Sequence, residues 1–177
     1  MSFLIPAVSP RAVCWDVAKP EQSRVTHLLG ALWTGAVTHE KVERFTRELA
    51  KLPQVPAFKT EHELYGGMYA RTMHIPAGVI AVGRTHKHDH YFMCVSGEAA
   101  ICSEEGTRTF RAGDFIKSSA GVRRLGFAIT DTILRTIHRT DCMSIDDLED
   151  DLIDEDEICL YDFDNKLKSD CNLEIQR

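Results

Sequence analysis

Apolar residues change their spacing twice along this chain. Before about residue 52 they recur at three- and four-residue steps. From about 61 to 140 they gather in short β-prone runs between turn residues, and beyond 141 they thin out among carboxylates. In the first region Val25, Leu28, Leu29, Leu32 and Trp33 share one helical face. Pro20 suits a first helical turn, and Gly35 can end the helix. Thr38 offers a cap for a second helix, with Val42, Phe45, Leu49 and Leu52 as its apolar stripe. Glu40, Lys41, Glu43, Arg44 and Lys51 lie between them, and Pro53 and Pro56 stop the helix. Such a stripe needs a covering surface, either the chain's own domain or a twin subunit.

The middle region reads as strands at 68–75, 79–82, 91–95, 99–102, 107–111, 115–117, 126–129 and 132–138. Turn residues separate them, including Pro76-Ala77-Gly78, Ser96-Gly97, Ala112-Gly113-Asp114 and Ala120-Gly121. Many short, evenly spaced strands predict an antiparallel sandwich or barrel. The expected organisation is a helical arm over 1–60, a barrel over 61–140, and an acidic helix with a tail over 141–177. Ser144 and Asp147 resemble a capping box for that helix. Ile145, Leu148 and Leu152 form its thin apolar stripe, and 158–163 reads as one more strand.

Composition narrows the class. Apolar residues make up 44% and charged residues 27% of 177 residues, as in a soluble globular domain. No stretch approaches the ~20 apolar residues of a membrane span, and nothing resembles a nucleic-acid module. Residues 1–8 are apolar but broken by Pro6, with no basic cluster before them, so a cytoplasmic location is expected. The six cysteines are scattered without a Cys-x-x-Cys pair, and free thiols are expected. The net charge of -6 is uneven: residues 141–157 hold ten acidic residues and no basic one. The remainder, with 17 acidic and 21 basic residues, carries +4. The acidic run is either a solvated helix or a contact for a basic partner such as a neighbouring subunit.

Three of the eight histidines, His86, His88 and His90, occupy alternate positions just after a turn. Alternation along a strand would put their imidazoles on one face. Neutral imidazole is a common metal ligand. On a regular strand, however, positions i and i+4 lie ~13 Å apart at ~3.3 Å per residue, so all three meet one ion only if the strand bulges, for instance at Asp89. Two neighbours plus a ligand from another strand is the simpler arrangement, and His138, closing the last strand, is a candidate. Asp89 should point away from the histidine face. His27, His39 and His62 read as surface or linker residues.

These residues resemble the cupin superfamily of small RmlC-like β-barrels. His86-Lys87-His88 resembles the first cupin motif's His-x-His, and Gly97 its closing glycine, although His90 stands near the place of the glutamate and the gap is two residues short. Gly113-Asp114 opens a second motif that ends at Ser119-Ala120-Gly121-Val122-Arg123-Arg124, with Ser119 for a proline and Arg124 for the last histidine ligand. The Tyr69-Ala70-Arg71, Ile75-Pro76-Ala77-Gly78 and Thr136-Ile137-His138 segments also resemble single-domain cupins encoded in bacteriophage genomes. That resemblance implies the host cytoplasm or a virion as the location.

The expected function is a non-classical cupin binding a divalent metal (Fe, Zn, Mn or Ni) or a small anionic ligand. His86, His88, His90 and His138 are the candidate metal ligands. Arg124, which cannot ligate a metal but can clamp an anion, is a candidate ligand contact with Tyr69 and Arg71. A homodimer or larger homo-oligomer is expected. The alternative is a structural or assembly protein acting through oligomerisation. No nucleophile elbow or phosphate-binding glycine loop is present, and no catalytic residue is assigned.

Overall fold

The computed structural model describes residues 38–52, 54–55, 57–103, 106–155 and 159–168. The helix expected around 25–33 lies outside them, as does the end of the tail. Helix α1 spans His39–Leu49, and the Thr38 hydroxyl accepts from the Lys41 amide at 3.3 Å, the N-cap that the sequence predicts. Nine strands follow: β1 Lys59–Tyr65, β2 Met68–Ile75, β3 Ile80–Val82, β4 His90–Ser96, β5 Glu98–Ser103, β6 Gly106–Arg111, β7 Phe115–Ser118, β8 Leu125–Ala128 and β9 Thr132–Arg139. A short helix α2, Leu148–Leu152, comes last.

All strand pairs are antiparallel, in a five-stranded sheet ordered β1-β2-β9-β4-β7 and a four-stranded sheet ordered β3-β8-β5-β6. From β2 onward these orders are those of a double-sheet jelly roll, the architecture that cupins share. The fold is a small, mainly β, cupin-type barrel. β1 adds an outer strand where the sequence pattern suggested a linker. Its residues are mostly polar and only every second one is half-buried, so the usual apolar signal is absent.

The core lies between the sheets. Ile75, Phe92, Cys94 and Leu134 from one sheet meet Ala99, Ile101, Phe110 and Ala128 from the other. The opposite face of the smaller sheet is covered by α1: Val42 and Phe45 pack on Cys102 and Leu125, with Leu49, Ile80 and Val82 beside them. The helix stripe is therefore buried against the chain's own barrel and does not by itself call for a twin subunit. A buried ion pair between Glu43 and Arg123, whose Nε donates to the Gly83 carbonyl at 3.0 Å, fixes the helix in place. Cys94, Cys102, Cys142 and Cys159 are free thiols, the first two buried.

The acidic segment keeps Asp141, Asp146, Asp147 and Asp150 exposed, but its apolar stripe is docked on the barrel. Leu148, Leu152 and Ile153 are buried against Tyr69, with Leu64, Cys142 and Phe163 around them. The expected capping box is not formed: Asp147 makes no side-chain capping bond, and the Ser144 hydroxyl accepts from Asp146 N instead. Residues 159–163 form no strand. They belong to an arm that folds on itself at the isolated bridge Tyr161↔Leu167 and meets the residues just before β1 at Ala57↔Lys166.

Gly97 turns the chain from β4 into β5 with φ +81°, and a Cβ there would lie 2.2 Å from the Asp131 carbonyl oxygen and 2.8 Å from Thr132 Cα. Both obstacles are backbone and cannot step aside. Gly113 has φ +94° but open space around it. Gly97→Ala should therefore cost roughly 3 kcal/mol or more, and Gly113→Ala only ~1–2 kcal/mol. Urea unfolding measures both, and equal costs would contradict the role given to the Gly97 turn.

Candidate metal centre

Strand register arranges the inner face of the five-stranded sheet in rows. Leu64, Tyr69, His138, His90 and Ser118 stand side by side across β1, β2, β9, β4 and β7. The next row holds His62, Arg71, Thr136, Phe92 and Ile116. Beyond it come Thr60, Met73, Leu134 and Cys94, already the apolar core. One end of the barrel interior is thus polar and the other apolar.

His86 joins the polar end from outside the sheet. Residues 87–89 are not strand, and the chain bends between His86 and His90. Side-chain alternation does not apply across a bend, so His88 is exposed while His86 and His90 turn inward together. Their ring centroids lie 4.2 Å apart, His86 and His138 4.8 Å, and His90 and His138 4.5 Å. One ligand atom from each of His86, His90 and His138 lies within 4.8 Å of the others. The expectation that His86 and His88 share the inner face is corrected by this geometry. His90 takes the inner position, and His88 contributes a backbone carbonyl instead. That carbonyl accepts from His90 Nδ1 at 3.1 Å. Because a carbonyl only accepts, Nδ1 carries the proton and Nε2 keeps the lone pair. Asp89 faces away as expected, its Oδ1 accepting from Ala120 N at 2.9 Å.

The bend is held from both sides. Lys87 N donates to the Leu152 carbonyl and Asp154 N to the Thr85 carbonyl, each at 2.9 Å, around the isolated bridge His86↔Ile153. Gly121 N donates to the His86 carbonyl at 2.9 Å. Arg84 pairs with Glu149 at 3.0 Å, and the Thr140 hydroxyl donates to Asp151 Oδ2 at 2.9 Å. The acidic run is thus partly answered by basic and polar groups of its own barrel. It closes the barrel end beside His86.

The other residues singled out by sequence sit around this cluster. Arg124 donates from Nη1 to Ser118 Oγ at 2.5 Å, with its Cζ 5.9 Å from the Phe92 ring centroid. Arg71 is 6% exposed and donates from Nη2 to the Phe163 carbonyl at 2.8 Å and Asn165 Oδ1 at 2.9 Å. Tyr69 lies beside His138, ring centroids 6.1 Å apart, but its hydroxyl is turned to His62 Nδ1 at 2.6 Å. His62, read from sequence as a linker or surface residue, is half-buried on β1, stacked on Tyr69 and tilted against Phe163. Its Nε2 lies 3.1 Å from Asp164 Oδ1, a close contact rather than an aligned hydrogen bond. The missed β1 strand explains why sequence placed it wrongly.

Burial is the main force on all three clustered histidines. It holds His86 well below the usual imidazole range, with His90, His138, Arg71 and Arg124 adding repulsion. His90 is lowered chiefly by burial, and His138 is pushed down to about 3 by burial first, then by His90, Arg71 and His88. Neutral imidazoles are the form that ligates metal. His86 Nδ1 and His138 Nδ1 are buried without any hydrogen-bond partner, as is Thr136 Oγ1. A buried polar atom left unpaired is costly, and a ligand at the cluster would satisfy these atoms. Nitrogens around one tetrahedral ion lie ~3.4 Å apart for bonds of ~2.0–2.1 Å. The ligand atoms here spread to 4.8 Å, so closing on an ion would draw the three rings together.

No family model matches the sequence, and no curated protein matches it. Solved structures do align with about half of the chain. Ectoine synthase from P. lautus aligns at 13% identity and TM-score 0.45, covering 58% of this chain and 77% of the other. KdgF from Halomonas sp. aligns at 14% identity and TM-score 0.44, over 52% and 86%. A cupin-2 domain protein from Shewanella frigidimarina aligns at 15% identity and TM-score 0.38, over 54% and 91%. The assignment to the cupin-type barrel stands on this chain's own strand order. Among the described residues no helix is long and apolar enough to cross a membrane.

The pH dependence of stability follows from the burial of neutral imidazoles. The unfolded chain protonates its histidines near pH 6.5, above the folded values of these three, so it binds protons first as pH falls. Their contribution is fully present above about pH 6.5 and is lost progressively below it, toward the folded pKa values. The urea midpoint of the metal-free protein should fall between pH 7.5 and pH 5, and His138→Gln should flatten that slope. A midpoint unchanged over this interval would contradict the buried, neutral cluster.

Proposed function

We propose that this cupin-type domain binds one divalent metal ion through His86, His90 and His138, leaving coordination positions open to a small molecule. The carrying observation is the convergence of three neutral imidazoles, two with orphaned buried nitrogens, at the polar end of the barrel. The group contains no carboxylate among the described residues, so it lacks the two-histidine, one-carboxylate set typical of non-haem iron oxygenases. Three imidazoles with an open position suit zinc well, and iron or nickel next. A purely structural or assembly role gives no account of the orphaned imidazole nitrogens, which favours the metal reading.

His88 separates this reading from a simple His-x-His chelate. Competition titration with a chromophoric chelator should show one zinc equivalent per chain. His86→Ala and His138→Ala should each weaken binding ~100-fold or more, beyond the 10–100-fold range of outer-sphere changes. His88→Ala should stay within ~3-fold of the parent, since it keeps the carbonyl that orients His90. An equal loss from His88→Ala, or no zinc uptake by the parent, would reject the assignment.

A further inference from the structure

Two arginines lie near enough to the histidine cluster to add to the positive field on His86. Arg124 is held to Ser118, the residue directly across from His90, and lies over Phe92 in the next row. Arg71 lies across from Thr136, one row from His138 on the same inner face. It is 6% exposed, its Nη2 partners are neutral oxygens, and its Nε is buried with no hydrogen-bond partner. Among the described residues no carboxylate is within ion-pair distance of it. Glu149 and Asp164 act on Arg71 only from beyond ion-pair distance, and the neighbouring histidines are neutral. The Thr136 hydroxyl, buried and unpartnered, lies in the same row as Arg71.

Burying a cation with no directly paired carboxylate is costly, and a divalent metal ion at the histidines would deepen the positive potential. An anion relieves both at once. Guanidinium presents parallel N–H donors matched to two oxygens of one oxyanion group, whereas it repels a second cation and gains little from a neutral amide. We propose that the site takes a small molecule through an oxyanion group, a carboxylate or a phosphate, held between the histidine-bound metal and the guanidinium groups of Arg124 and Arg71. One oxygen faces the metal and another accepts from Arg124, with Thr136 as a further donor. This rests on the metal reading above and names the class of ligand that completes that site.

Cobalt-loaded protein tests it through the visible absorption of the metal, with acetate, pyruvate, inorganic phosphate and neutral acetamide as probes. At least one anion should shift the spectrum saturably, while acetamide at equal concentration should not. Arg124→Gln should leave cobalt affinity within about 3-fold and weaken the anion at least 10-fold, with Arg124→Lys in between. Competition between phosphate and the carboxylates then decides which oxyanion the site prefers. The proposal is overturned if no anion shifts the parent spectrum, if acetamide does so equally, or if Arg124→Gln binds the anion as the parent does. Should cobalt fail to bind, the metal reading falls separately, and titration calorimetry of the metal-free protein with the same anions takes over. Binding lost in Arg124→Gln would then support the oxyanion site, and no binding would overturn it.

Discussion

His86 reaches its two partners because its backbone is paired with a segment from the far end of the chain. Residues 85–87 and 152–154 exchange two hydrogen bonds around the bridge at His86 and Ile153. Leu148, Leu152 and Ile153 supply the apolar surface that holds that segment down on Tyr69. Each fully buried side chain of this kind contributes roughly 1.5–3 kcal/mol, far more than an exposed ion pair. The carboxylates around these anchors follow the apolar contact and do not drive it. Without this pairing the chain between β3 and β4 would have no partner on that side, and the bend that brings His86 to His90 would lose one of its supports.

The barrel interior is graded from polar to apolar along its strands, and the gradient explains the electrostatics of the site. At the apolar end Phe92, Cys94, Leu134 and Phe110 fill the space between the sheets. At the other end the same inner face carries His138, His90 and Ser118, with Arg71 and Thr136 in the row between. Low local dielectric keeps the imidazoles neutral and makes nearby charge act over longer distances. The acidic side chains near this end, Glu149 with Arg84 and Asp151 with Thr140, are engaged with groups of the barrel. The resulting arrangement combines neutral imidazole nitrogens with positive charge and holds no carboxylate among the described residues of the cluster.

Strand order was readable in the sequence to the extent that turns and apolar runs announced it. The run 68–75 coincides with β2, and the other runs from 79 to 138 fall on β3 to β9 within a residue or two. β1 escaped because Thr60, His62 and Leu64 are its only inward residues and one alone is apolar. The cluster was half legible. His86, His90 and His138 stood among the candidates, but period-2 alternation favoured His88, and no local pattern shows that 87–89 leave the strand. The docking of the acidic segment was hidden by its own charge: Leu148 and Leu152 were visible as a thin stripe, yet ten carboxylates in seventeen residues read as solvated. Long-range pairing with residues 85–87 has no local signature at all.

One bend and one distant strand end bring the three imidazoles together. X-ray absorption at the zinc edge of the loaded protein reads this directly, since imidazole rings give a characteristic multiple-scattering pattern and zinc–sulfur bonds of ~2.3 Å are well resolved from zinc–nitrogen bonds of ~2.0–2.1 Å. Three imidazoles and at least one light-atom ligand, with no sulfur, are the expected result. A spectrum fitted by two or fewer imidazoles, or by any cysteine sulfur, would contradict it.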